Sequence, residues 1–147
     1  MSSPTPSDVL NQLVSMKDEI KEVLESIHFG PDQNLNVNFA DPNDIFLNNE
    51  CGYIISKLED IHHQLNYLSH PIIEEGTLYK RPNGRYAISD KYEFTTGSLI
   101  EVLVHNHEDD HESWVETRIE EQNGDYYFHH IKDLPLEGAH VRRRAYV

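Results

Sequence analysis

The densest group of side chains that could do chemistry lies in residues 105–112, which read HNHEDDHE. Alternate residues of a strand share a face, so His105 and His107 point the same way, and His111 returns toward them in a hairpin. Imidazole and carboxylate groups are suitable ligands for zinc or nickel. However, the spacing matches no established metal motif, and an exposed hairpin tip explains the same composition. The sequence therefore predicts no metal or other cofactor, and the three histidines remain only candidate ligands.

Other catalytic patterns are missing from the sequence. It contains no glycine-rich phosphate loop (GxxxxGK[ST] or GxGxxG), no GxSxG elbow and no HExxH helix. The single cysteine, Cys51, falls on an apolar helical stripe with no neighbour in sequence to activate its thiol. These features predict a protein that is not an enzyme. A lone cysteine also forms no internal disulfide, which leads us to expect a cytoplasmic location.

The charge balance favours a basic partner. The chain of 147 residues has 26 acidic and 12 basic side chains, a net charge of −14, and both halves carry an acidic excess. Such a surface attracts basic proteins, although a merely solvated acidic face has the same composition. The candidate partner-binding residues are Asp18, Glu19, Glu22, Glu25, Glu108, Asp109, Asp110, Glu112, Glu116, Glu120 and Glu121.

A second function is favoured by the distribution of the arginines. All of them lie in the second half of the chain, interspersed with tyrosines: Arg81, Arg85, Arg118, Arg142, Arg143 and Arg144. A positively charged rim with aromatic side chains is typical of barrels that bind single-stranded nucleic acid. The alternative hypothesis is therefore a nucleic-acid-binding barrel with a C-terminal arginine rim.

The elements that position these residues differ between the two halves. Residues 1–71 predict two helices with heptad-spaced apolar residues, the first capped by Ser7 and ending at Gly30–Pro31, the second beginning at Asp41–Pro42 and ending at Pro71. They are expected to form an antiparallel hairpin, which packs on the second half or pairs with another copy in a homodimer. No apolar run is long enough to cross a membrane. The stripes are Val9, Leu13, Met16, Ile20, Val23 and Ile27, then Leu47, Cys51, Ile54, Leu58, Ile61, Leu65 and Leu68.

Residues 72–147 are the second predicted domain, and from Gly76 onward they show the alternating pattern of short strands. Two Asn-Gly pairs, Asn83–Gly84 and Asn123–Gly124, predict tight hairpins because both residues tolerate positive φ angles. We expect a loop at residues 93–98, strands at residues 99–104 and 114–122, and a closing strand near Val141. Five or six short strands in about 70 residues close most economically into an SH3-like barrel or a small meander. The predicted fold is α+β, a helical hairpin followed by a small SH3-like antiparallel β-barrel.

Several motifs of this half resemble a small uncharacterised domain family from mobile elements of low-GC Gram-positive bacteria. The resemblance covers about residues 76–144 and is carried by turn and core motifs: Gly84-Arg85-Tyr86, Thr96-Gly97, Ile100–Leu103, Trp114, Asn123–Tyr127 and Leu134–Gly138. It implies a fold and a mobile-element context rather than a chemistry. Together with the charge, it leads us to expect an accessory protein of the anti-CRISPR type, which binds and inhibits a nucleic-acid-handling host protein such as an RNA-guided (CRISPR) nuclease.

Overall fold

The computed structural model describes residues 2–27 and 35–145, which form two compact units, Met1–Ser69 and His70–Val147. We call them the helical unit and the sheet unit. The chain combines helices with antiparallel sheets, as its sequence predicts.

The helical unit contains three described helices, α1 (Pro6–Val14), α2 (Lys17–Ser26) and α3 (Pro42–Ser69). The single first helix that the heptad stripe predicts is thus divided in two. At the break, the Ser15 hydroxyl donates to the carbonyl of Gln12, and the Met16 amide donates to the carbonyl of Leu13 at 3.0 Å. A hydrogen bond to the third residue back tightens the turn and ends α1 there.

The first helix cap also differs from the prediction. Thr5, rather than Ser7, caps α1: its hydroxyl accepts from the Asp8 amide at 3.1 Å, and the Asp8 carboxylate accepts from the Thr5 amide at 3.2 Å. This reciprocal pair is a capping box, which satisfies two backbone donors instead of one.

The bounds of α3 follow the predicted signals. The Asp41 carboxylate accepts from the Asn43 amide at 3.0 Å, Pro42 is the first helical residue, and Pro71 follows the last helical residue closely. The predicted stop at Gly30–Pro31 lies outside the described residues.

The sheet unit contains eight strands among its described residues, arranged in two antiparallel sheets. The five-stranded sheet has the order β1-β8-β5-β6-β7, and the three-stranded sheet has the order β2-β3-β4. The strands are β1 (Ile72–Thr77), β2 (Tyr79–Lys80), β3 (Tyr86–Ser89), β4 (Tyr92–Phe94), β5 (Leu99–Asn106), β6 (His111–Gln122), β7 (Asp125–Phe128) and β8 (His140–Arg144).

Both predicted Asn-Gly turns are confirmed. Asn123 and Gly124 have φ angles of 55° and 85°, the pair of positive values that a two-residue hairpin between β6 and β7 requires. Gly84 has a φ angle of 88° in the turn between β2 and β3. The prediction missed β1, and it was wrong to assign residues 93–98 entirely to a loop, because β4 extends to Phe94.

The core of the sheet unit lies between the two sheets. Its largest fully buried side chains are Phe94, Phe128, Leu78, Ile100, Ile119, Val102 and Val141. Gly76 of β1 faces Ile88 of β3 so closely that a Cβ atom at this position would lie 2.8 Å from the Ile88 side chain. The absence of a side chain on Gly76 is what lets β3 approach β1.

The predicted closed barrel is wrong for the described residues. The strands remain in two separate sheets, and β1 and β7 are the two ends of the larger one. The prediction placed all strands in one closing sheet, whereas the division into sheets leaves no continuous ladder of hydrogen bonds around the core.

Candidate interaction surfaces

The arginine triplet of β8 is divided between the two faces of its sheet. Successive side chains of a strand point to opposite faces, so Arg142 and Arg144 share one face and Arg143 occupies the other. On the first face, Arg142 Nε donates to Glu101 Oε1 at 2.7 Å and Arg144 Nε donates to Glu101 Oε2 at 2.6 Å. The Glu101 side chain is only 5% exposed. The two arginines therefore neutralise a carboxylate that little water reaches. Removing one partner of such a group leaves a buried charge without compensation.

The opposite face holds a second buried carboxylate, Glu74 of β1. Arg143 Nε donates to Glu74 Oε2 at 2.6 Å, and the Ser89 hydroxyl donates to Oε1. Burial alone would raise the pKa of Glu74, but the hydrogen bonds from Ser89 and Arg143 and the Arg143 charge outweigh it, so the pKa is lowered. Glu74 therefore stays ionised in the folded sheet unit.

Two aromatic rings cover these guanidinium groups. Arg142 lies 4.2 Å from the centre of the Trp114 ring, and Arg143 lies 4.3 Å from the centre of the Tyr92 ring. Stacking on an aromatic face holds a guanidinium in a fixed plane. Arg142 and Arg143 are therefore each held by a carboxylate and a ring, and Arg144 is held by its carboxylate.

The other three arginines also have carboxylate partners. Arg81 Nε lies 3.3 Å from Glu93, Arg85 lies 3.6 Å from the same residue, and Arg118 Nε donates to Glu120. All six residues of the predicted nucleic-acid rim are thus paired within the sheet unit. Phosphates that bound these arginines would compete with carboxylates that are already in place. The binding of nucleic acid by this rim stays a prediction.

The histidine-rich segment forms the end of the β5–β6 hairpin. Its strands continue to Asn106 and start again at His111, so His105 and His111 lie on strands. His107 lies in the turn between them, which corrects the prediction that it shares a strand with His105. The rings of His105 and His107 lie 4.7 Å apart, edge to face, and His105 Nε2 is 3.2 Å from Asp110. Within residues 2–27 and 35–145, no group of three or more His, Cys, Asp or Glu side chains is arranged to hold a metal ion.

The predicted acidic residues fall into two groups, one on each unit. Asp18, Glu19, Glu22 and Glu25 are exposed along α2 of the helical unit. Glu108, Asp109, Asp110 and Glu112 are exposed at the hairpin end, and Glu116 and Glu121 are exposed farther along β6. Glu120 is less exposed and pairs with Arg118. Their role in binding a partner stays a prediction.

The helical unit leaves most of its apolar side chains exposed. Leu65 is the only buried side chain among the described residues of this unit. Eight of the thirteen residues of the predicted stripes are exposed, among them Leu13 (45% exposed), Val23 (48%), Ile54 (56%) and Ile61 (48%). Helices normally gain most of their stability by packing such a face against another element, which α1, α2 and α3 do only in part.

Carboxylates border this apolar face. Glu19 lies one helical turn before Val23, and Glu50 lies one turn before Ile54, so each pair is adjacent on its helix surface. A groove of about 550 Å³ runs between α2 and α3, lined by Leu24, His62 and His63 with Lys21, Glu25 and Glu59. We call the exposed stripes of α1, α2 and α3 the helical face.

Sequence reasoning missed the two carboxylates that organise the sheet unit. Glu101 is the one charged residue in the run LIEVLV, and a single carboxylate in an apolar strand is a signal for a buried ion pair. Glu74 gives no comparable signal, because it is followed by a second glutamate in a polar stretch.

These features define a protein with mixed helices and antiparallel sheets, whose sheet unit buries a core of apolar side chains. The described residues of its helical unit bury only Leu65. Residues 76–143, most of the sheet unit, match the family described as Domain of unknown function (DUF5348). No curated protein and no solved structure matches the chain. None of the described helices is long and apolar enough to cross a membrane.

Proposed function

We propose that this chain is a non-enzymatic interaction protein that uses its helical face to bind an apolar surface with a basic border on another protein. The observation that carries the proposal is the incomplete core of the helical unit, in which only Leu65 of the described residues is buried. A partner that covers Val23, Ile54 and Ile61 would supply the burial that these helices lack.

The carboxylates around the helical face favour a basic partner over a second copy of the chain. Glu19, Glu22, Glu25 and Glu50 border the apolar stripes. A second copy of the chain would bring the same carboxylates against them, whereas Lys and Arg side chains around an apolar patch would complement them. A homodimer formed through the helical hairpin is therefore less favoured than a complex with a basic partner.

The more specific form of this proposal concerns the biological target. The sequence resemblance implies a mobile-element context, in which a basic, nucleic-acid-handling host protein such as an RNA-guided nuclease is the expected partner. Rows of carboxylates on α2 would occupy its nucleic-acid channel in place of phosphates. The pairing of all six arginines with carboxylates supports this protein-binding reading over direct binding of nucleic acid.

The test compares two substitutions to aspartate on the same helix. Ile54→Asp places a charge in the apolar stripe, and Ser56→Asp places the same charge at an exposed position two residues away, outside the stripe. Tagged wild-type and variant proteins are used to capture partners from nuclease-treated bacterial lysate, and each captured protein is then purified and its binding measured.

A basic protein that binds the wild type and Ser56→Asp, but binds Ile54→Asp at least about tenfold more weakly, is the expected result. If that protein is a nuclease, the chain should inhibit its cleavage of nucleic acid. Equal binding by both variants would contradict the use of the helical face. A doubled mass for the wild type in light scattering, lost in Ile54→Asp, would instead assign this face to a homodimer.

A further inference from the structure

Strand β6 is longer than the strand that pairs with its outer side. On one side, β5 pairs with β6 from His111 to Arg118. On the other side, β7 pairs with β6 only from Ile119 to Gln122. Within the described part of the chain, residues 111–115 of β6 therefore have a strand on one side only.

The chain leaves β6 at a defined point. The His129 amide donates to the carbonyl of Arg118 at 2.9 Å, and the Thr117 hydroxyl donates to the carbonyl of His129 at 2.7 Å. His130 then turns the chain away with a φ angle of 64°. Partial burial lowers the pKa of His129, as do the charges of Arg118 and His130, so its neutral ring can accept the hydrogen bond from Arg118 at 3.3 Å.

These contacts also show which backbone groups face the open side. The carbonyl of Arg118 points toward the β7 side, and backbone direction alternates along a strand. The amides and carbonyls of Trp114 and Glu112 therefore point to the same open side. Such unpaired groups are a ready template for another strand.

A cleft lies beside this edge. It has a volume of about 450 Å³. Its lining combines the apolar side chains of Leu99, Val104, Val115 and Ile131 with polar ones that include Thr117 and Arg118. An extended segment laid along β6 directs alternate side chains to one face, so the cleft would take one apolar side chain of that segment.

The charge of the edge argues for a basic occupant. No Lys or Arg occurs between Lys91 and Arg118, while the hairpin end carries Glu108, Asp109 and Asp110 and the strand carries Glu112 and Glu116. A second copy, paired antiparallel about Trp114, would place Glu112 opposite Glu116, and like charges opposite each other disfavour pairing. Lys or Arg side chains at alternate positions would complement the same edge.

We propose that residues 111–115 of β6 form a docking edge for an extended basic segment of another protein, which binds as an added β-strand. The segment has Lys or Arg at alternate positions and an apolar residue for the cleft. This edge belongs to the sheet unit and does not depend on the helical face, so either proposal can fail while the other stands.

Binding at this edge can be followed by the fluorescence of Trp114, because Trp114 is the only tryptophan of the chain and lies within residues 111–115. The probe is a peptide of alternating lysine and valine, titrated into the full-length protein while Trp114 fluorescence is recorded. Two matched peptides serve as controls: one with glutamate in place of lysine, and one whose alternate backbone amides are N-methylated so that they cannot pair with a strand.

The expected result is saturable binding of the lysine peptide and no detectable binding of either control peptide. Glu112→Gln should weaken binding by about two- to fivefold, the range of one cross-strand charge pair. Asp125→Asn, which also removes one charge but lies where β6 and β7 already pair, should leave binding unchanged. The proposal is overturned if the N-methylated peptide binds as tightly as its parent, or if the lysine peptide does not bind at millimolar concentration.

Discussion

Nine of the ten buried hydrophobic side chains among the described residues belong to the sheet unit, and Leu65 of the helical unit is the tenth, although the two units have similar lengths. The sheet unit also pairs its buried carboxylates, Glu74 and Glu101, with arginines. The helical unit has the opposite character, with apolar stripes that are about half exposed. Among the described residues, the sheet unit thus buries a core of its own, whereas the helical unit buries a single side chain. Under the proposed function, a partner supplies the burial that the helical unit lacks.

The largest effect should come from truncating the core of the sheet unit. Phe128→Ala removes a fully buried ring and should lower the free energy of unfolding by about 3–5 kcal/mol. The matched change in the helical unit, Phe46→Ala at a side chain that is 57% exposed, should cost less than about 0.5 kcal/mol. Urea titrations followed by Trp114 fluorescence measure the first, and circular dichroism at 222 nm measures the second. Similar losses for the two variants would remove the contrast between the units.

The next largest effect should come from the buried ion pairs. Glu101→Gln leaves Arg142 and Arg144 without their shared charge and should destabilise the sheet unit by about 3 kcal/mol. Glu112→Gln changes an exposed residue of the neighbouring strand and serves as the control, with an expected effect below about 0.5 kcal/mol. If Glu101→Gln left the urea midpoint of the Trp114 signal unchanged, the ion pairs would not hold β8 to β5.

A smaller effect should appear in the pH dependence. Since the pKa of Glu74 is lower in the folded state than in the unfolded state, its contribution to stability is complete above the unfolded value. That contribution is lost as the pH falls below about 4.5 and through the lower, folded value. Glu74→Gln should therefore make stability less dependent on pH in this acidic range, in unfolding curves recorded at successive pH values. An unchanged slope would show that Glu74 is not selectively stabilised in its ionised form.

The smallest expected changes in the free energy of unfolding come from replacing glycines, and they have opposite signs in the two units. Gly124→Ala places a side chain at a φ angle of 85° and should cost the sheet unit about 1 kcal/mol. Gly52→Ala changes a helical residue that has open space around it and should stabilise α3 by about 0.5–1 kcal/mol. The first change should shift the Trp114 transition to lower urea, and the second should raise only the signal at 222 nm.

The local elements of the chain were largely predictable from sequence. Asn123–Gly124 predicted its hairpin because the positive φ angles are a property of those two residues. Pro42 and Asp41 likewise predicted the start of α3, since caps depend on near neighbours. The break after α1 was missed because the apolar stripe continues across it, whereas the hydroxyl of Ser15 bonds back to Gln12.

The long-range features were not predictable in the same way. The sequence favoured a basic rim for the arginine triplet because it could not indicate the carboxylate partners. These partners, Glu101 and Glu74, lie 41 or more residues away in the sequence. Only the pairing of β8 with both β5 and β1 brings them together. The division into two sheets depends on the same distant pairings, which is why strands of the expected kind did not form the expected barrel.

Hydrogen–deuterium exchange of the isolated full-length protein tests the central contrast most directly. Amides in Ile100–Leu103 of β5, a strand paired on both sides, should exchange only through global unfolding of the sheet unit. Amides in Ile45–Ile61 of α3 should exchange at least about a hundredfold faster. Adding the bound partner should protect the α3 amides selectively. Equal protection of the two segments in the protein alone, at a concentration where it is monomeric, would contradict an incomplete helical unit that depends on its partner.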